Sequence, residues 1–134
     1  MRALSYSGTV LWLLAAALVA GCGGPTLYDV KGQIVRNGQP LPAGPKTILE
    51  VVLHPLEPNA EDGGMTSFPA EVESYTEGTF LVRQIPAGQY KVSLRQYDPF
   101  GPDKLKEAYL ESNTPLRVEI RGPEPIKVDL AQSG

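Results

Sequence analysis

Cysteine and histidine are almost missing from this sequence: of 134 residues, one is Cys22 and one is His54. A single cysteine excludes an intramolecular disulfide, so nothing covalent staples the fold. A single histidine excludes a histidine pair for zinc, and a Ser-His-acid arrangement around it would need partners from distant positions. His54 stands before Pro55 and reads as a strand-end residue. An excess of positive charge is missing too. With 12 basic against 15 acidic residues, the chain lacks the electrostatic footprint of a nucleic-acid binder. No glycine-rich phosphate cradle and no CxxC pair occurs. The longest apolar run, residues 9–20, is shorter than the roughly twenty residues that a membrane-spanning helix needs.

That apolar run follows Arg2 and ends in Val19-Ala20-Gly21-Cys22. Its length and flanks match a cleaved signal peptide. A buried core helix or a short N-terminal anchor is the competing reading, and a cysteine behind small residues is an odd end for either. The four residues resemble the lipobox of bacterial lipoproteins: aliphatic, small, Gly or Ala, then Cys. The resemblance implies cleavage between Gly21 and Cys22, a diacylglyceryl thioether on Cys22 and acylation of the new amine, commonly with palmitate. Each buried methylene of such chains contributes about 0.8 kcal/mol, so attachment is effectively permanent. Gly23 stands where an aspartate tends to retain lipoproteins at the inner membrane, which points to the outer membrane, facing the periplasm or the exterior. The expected organisation is a signal over residues 1–21, a lipidated cysteine and short tether over 22–27, and one domain over 28–131. Without the signal, 11 basic residues face 15 acidic ones, a mildly acidic surface with no attraction to anionic headgroups. Contact with the membrane then comes through the lipid on Cys22.

What is abundant is the punctuation of β structure, with 14 glycines and 13 prolines marking many turns and few long helices. Tyr28, Val30, Gly32 and Ile34 alternate with Asp29, Lys31, Gln33 and Val35, and Asn37-Gly38 ends that strand in a turn that tolerates positive φ. Residues 47–53 predict a central strand. Residues 68–75, with Val72 among acids, predict an edge strand. Glu77-Gly78 turns the chain, and Phe80 and Val82 point inward. Ile85-Pro86-Ala87-Gly88 then turns it again before Tyr90, Val92 and Leu94. Residues 98–114 form a long connection in which 104–110 has the makings of a turn or two of helix. Leu116, Val118 and Ile120 precede a turn at Gly122-Pro123, and Ile126, Val128 and Leu130 finish the pattern. Seven short strands with turn signals between them predict an all-β, Greek-key β-sandwich.

Three blocks carry a further resemblance, to the carboxypeptidase regulatory-like domain, a transthyretin-like (prealbumin-like) sandwich. They are Val30-Lys31-Gly32-Gln33-Ile34 with Asn37-Gly38-Gln39-Pro40-Leu41, then Val51-Val52-Leu53-His54-Pro55, then Thr76-Glu77-Gly78-Thr79-Phe80 running through Ile85-Pro86-Ala87-Gly88-Gln89-Tyr90-Lys91-Val92. The third looks like the family's most recognisable hairpin, with Glu77 in place of a common Asp. The resemblance covers residues 28–97 and implies a non-catalytic domain. A transthyretin-like hydrolase of 5-hydroxyisourate needs several histidines and a Tyr-Arg-Gly-Ser tetrapeptide, and neither occurs here.

The candidates for function are therefore few. Glu57, Glu61 and Asp62 share one loop, but their spacing is not that of a calcium loop, which gathers six to eight oxygens; no metal and no cofactor is expected. Tyr97, Phe100 and Tyr109 lie around the long connection. Exposed, they would stack on a sugar or anchor a protein contact; folded under the loop, they would make a satellite of the core. The expectation is a lipid-anchored, non-catalytic envelope domain with a structural or protein-binding role. The alternative is a carbohydrate-binding module that uses those three rings. The partner is thus an unnamed envelope protein or glycan.

Overall fold

The computed structural model describes residues 26–57 and 66–131. Cys22, Gly21, Glu61 and Asp62 lie outside the described residues. The chain forms β1 (Leu27–Arg36), β2 (Gln39–Pro40), β3 (Ile48–Pro55), β4 (Phe68–Pro69), β5 (Glu71–Ser74), β6 (Thr79–Pro86), β7 (Gly88–Tyr97), β8 (Arg117–Ile120) and β9 (Ile126–Asp129). One sheet runs β2-β1-β6-β5, with β9 parallel to β1; the other runs β4-β3-β7-β8. The described residues contain no helix. The fold is all-β, with two sheets packed face to face.

Alternation creates this arrangement. Val30, Ile34, Phe80 and Val82 of one sheet meet Leu49, Val51, Leu53, Val92 and Leu94 of the other, all buried, while the residues between them face solvent or half-buried surroundings. A strand exposes alternate side chains on opposite faces, so each strand gives one apolar face to the shared core. Gly32 breaks the apolar series for a steric reason. It pairs with Phe80, and a Cβ on Gly32 would lie 2.2 Å from the Phe80 ring. The glycine leaves room for the largest fully buried side chain.

The structure revises four expectations. The described residues form nine strands where seven were expected, the added β2 and β4 being two residues long. The expected strand over 68–75 is two strands in different sheets: β4 pairs with β3, β5 pairs with β6, and Ala70 makes the step by donating its N–H to Val51 O at 2.9 Å. The expected hairpin of β6 and β7 is instead a crossing from one sheet to the other, since β6 pairs with β1 and β5 while β7 pairs with β3 and β8. Two strands that face each other across a core carry the same period-two pattern as two strands side by side, so the pattern alone does not separate the cases. Finally, residues 104–110 form successive turns rather than a helix. Lys106 and Glu107 have φ of 56° and 62°, a left-handed conformation that a right-handed helix cannot continue.

The register also defines two ends. Leu27, the first residue of β1, pairs with Pro86, beside the β6–β7 crossing. Arg36, its last residue, pairs with Gln39. Nine steps of about 3.3 Å place these ends roughly 30 Å apart. The connection over residues 98–114 follows the end of β7, where Tyr97 pairs with Ile48, and so belongs to the Arg36 end.

Candidate functional site

At the Arg36 end the long connection folds over the sandwich and leaves a groove of about 470 Å³. Asp103 organises the fold of this segment. Its Oδ1 accepts the backbone N–H groups of Gln96 and Leu105, both at 3.0 Å, and its Oδ2 accepts that of Glu107 at 3.1 Å. An aspartate that satisfies backbone donors ahead of it is a recurrent turn device. Further along, Tyr109 O accepts the Leu94 N–H at 2.8 Å and Thr114 Oγ1 donates to Val92 O at 2.6 Å, so the connection seals the edge of β7.

The groove has an apolar floor and a basic rim. Leu41 and Leu105, buried against the core, form the floor, and half-buried Tyr109 and exposed Pro42 and Ala108 complete the apolar lining. Arg36, Lys104 and Lys106 line it, and no carboxylate does. Lys104 is neutralised by Asp98 at 3.2 Å. Asp98 accepts the Thr47 hydroxyl at 2.7 Å, and that bond, then Lys104, holds its carboxyl below the usual carboxylate range. Arg36 and Lys106 make no ion pair among the described residues. Gln96 is the one polar side chain at an inward position of β7, only 4% exposed. Its Nε2 donates to Pro42 O at 3.0 Å. Its Oε1 accepts no hydrogen bond among the described residues and is not fully buried, and Gln96 lines the groove.

The three aromatics singled out in the sequence do not form one surface. Tyr109 packs against the core and lines the groove. Tyr97 follows Gln96 and points to the opposite face of its sheet. There its hydroxyl donates to Glu50 Oε1 at 2.9 Å, and the Arg95 guanidinium covers its ring at 5.1 Å. The bond to Glu50 pushes the Tyr97 phenol above its ordinary pKa. Phe100 is fully exposed, at φ 67° in a tight turn closed by Gly101 N–H to Asp98 O. Arg36, Gln96 and Lys106 escaped the sequence reading. A polar residue in phase with Tyr90, Val92 and Leu94 was the available signal for Gln96; the other two come from distant segments and left none.

His54 has partners after all. Its Nε2 lies 2.8 Å from Ser93 Oγ, and its Nδ1 lies 3.7 Å from Glu111 Oε1. These residues meet on the outer face of the second sheet, where Val52 pairs with Ser93 and His54 with Lys91. Burial, opposed by Glu111 and reinforced by Lys91, holds the imidazole pKa below its ordinary value and favours the neutral ring. In the neutral tautomer that carries its proton on Nδ1, toward Glu111, Nε2 accepts the Ser93 hydroxyl. Acyl transfer also requires donors for an oxyanion. The N–H groups flanking Ser93 are engaged, Val92 N–H by Leu116 O and Leu94 N–H by Tyr109 O.

Glu57 is exposed. Among the described residues no group of three or more His, Cys, Asp or Glu side chains is placed to hold a metal ion, and no helix is long and apolar enough to cross a membrane. Comparison of the chain with protein-family models, with curated proteins and with solved structures gives no match.

Proposed function

We propose that this chain is a non-catalytic protein-binding domain of the bacterial cell envelope, carried on lipid at Cys22 and engaging its partner at the Arg36 end. The observation that carries the reading is the separation of the two ends. The described chain enters β1 at Leu27, and the groove lies at the far end of that strand. A tether at residue 22 then leaves the groove turned away from the bilayer. The engaged N–H groups of Val92 and Leu94 on both sides of Ser93 support a non-catalytic role, because neither is free to serve an oxyanion at the His54–Ser93 pair. Against the glycan alternative stand the Arg95 cover on Tyr97 and the separation of Tyr97, on the outer face of its sheet, from Tyr109 in the groove.

On this reading the fold is a Greek-key sandwich of the transthyretin-like kind, with β1, β3, β5, β6, β7, β8 and β9 as its seven principal strands. Support comes from the β6–β7 crossing, where Tyr90 near the start of β7 donates its hydroxyl back to Pro86 O at 2.6 Å. A tyrosine bonding to backbone just upstream of its own strand is a feature of Greek-key corners.

The test is to follow the full chain and its Cys22→Ser variant in a two-membrane bacterium supplied with a clickable palmitate analogue. The wild-type chain should take up label and sediment with the outer membrane. The variant should take up none and leave the membrane fraction once its signal is removed. An unlabelled wild-type chain, or a processed variant still bound to membranes, overturns the lipid anchor.

A further inference from the structure

We infer that the groove binds the free carboxyl end of a peptide whose last side chain is apolar. The inference rests on the protein-binding reading above and names the chemistry of its partner; it does not depend on the lipid.

Three observations converge. First, the rim carries uncompensated positive charge. Asp98 neutralises Lys104, and the Asp103 carboxylate is occupied by three backbone N–H groups, which leaves Arg36 and Lys106 without a carboxylate among the described residues. In a chain whose acids outnumber its bases, a groove lined by cations alone favours an anion. Arginine adds a planar fork that matches a carboxylate bidentately. Second, the apolar lining is mainly aliphatic, from Leu41, Pro42, Leu105 and Ala108. It suits an aliphatic side chain better than a sugar face, which seeks an open aromatic ring. Third, Gln96 lines the groove, and its Oε1 is an acceptor that receives no donor among the described residues. A peptide end supplies carboxylate, apolar side chain and backbone N–H donor within one residue. Inorganic phosphate supplies only the charge, and a fatty acid lacks the N–H. The volume of about 470 Å³ lies within the range of small-ligand sites.

The experiment uses the full chain as cells produce and process it, purified in detergent and titrated with N-acetyl-alanyl-leucine, with its C-terminal amide and with inorganic phosphate. Binding is read by calorimetry and by backbone amide NMR shifts. The acid should bind and move the resonances of Gln96, Leu105 and Tyr109. Loss of one charge-assisted contact weakens binding about tenfold, so the amide should bind more weakly by at least that factor, as should the acid to Arg36→Gln or Lys106→Asn. Both substituted side chains are exposed, so the variants keep the fold, which their amide spectra verify. Phosphate should not displace the acid. No binding of the acid, equal binding of acid and amide, shifts confined to another face, displacement by phosphate, or variants that bind like the parent each overturn the inference. If it falls while Cys22→Ser still frees the chain from membranes, the envelope anchor stands without it. If the anchor falls and the acid still binds, the groove stands without the anchor.

Discussion

His54 shows how much of a side chain's setting stays hidden when its partners are far away in sequence. Next to Pro55 it looks like a residue that merely ends a strand; in the fold, Ser93 and Glu111 converge on it from β7 and from the long connection. Antiparallel pairing of β3 with β7 makes His54 and Ser93 diagonal neighbours on one face, and no spacing rule within either strand encodes that. The environment has a measurable consequence. The pKa of His54 lies below its ordinary 6.5 in the fold, so the unfolded chain takes up the proton first as pH falls. Stability contributed by the neutral ring is fully present above about pH 6.5, the unfolded value, and is lost as pH falls from there through the lower folded pKa. Thermal unfolding followed between neutral and mildly acidic pH should show a falling midpoint in the wild-type chain. This is the only histidine, so His54→Gln should flatten the profile over that interval. An equally steep profile in the variant would assign the dependence to other groups. Glu111, which faces Nδ1, opposes the shift, so Glu111→Gln should lower the imidazole pKa further, as read from its ring-proton titration.

Elements were legible where period and punctuation agreed, and their partners were not. The strands β1, β3, β6 and β7 stand within two residues of where alternation placed them, and Asn37-Gly38 turns the chain with both residues at positive φ, 54° and 79°. What alternation lacks is the identity of the neighbour, hence the β6–β7 hairpin that is a crossing and the 68–75 strand that changes sheets at Ala70. The long connection was legible as irregular, yet its order rests on Asp103, a residue that composition hides among ordinary loop acids. Asp103→Ala deprives the backbone N–H groups of Gln96, Leu105 and Glu107 of their acceptor together. Leaving a buried donor unsatisfied costs about 1–3 kcal/mol, and the exposed Glu107 amide turns to water at lower cost. The substitution should therefore destabilise the chain by about that amount. Hydrogen exchange should quicken at these amides while β1 and β3 keep their protection. Uniform loss of protection throughout both sheets would mean that the connection and the sandwich open as one unit.

At the scale of the whole molecule, polarity along the strands turns a small sandwich into a device with a near end and a far end. The Leu27 end carries Leu27 and Leu56, both exposed, and Leu56 is held by its N–H to Gln89 O beside the start of β7. The Arg36 end carries the groove and the exposed Phe100. The proposed anchor at Cys22 would tie down the first end and present the second about 30 Å away, given the rise of a strand. Acidic net charge gives the domain no reason to lie flat on anionic headgroups. The orientation is testable with single cysteines labelled by an environment-sensitive dye on the lipidated chain in vesicles that contain a headgroup quencher. A label at Ala87, in the β6–β7 crossing at the Leu27 end, should be strongly quenched. A label at Lys106 should be quenched little, because contact quenching needs dye and quencher to touch and the two ends lie about 30 Å apart by the rise of a strand. Equal quenching at both positions would mean that the domain lies on its side, and stronger quenching at Lys106 would mean that the groove faces the bilayer. Either result would remove the far-end presentation on which partner access from the aqueous compartment depends.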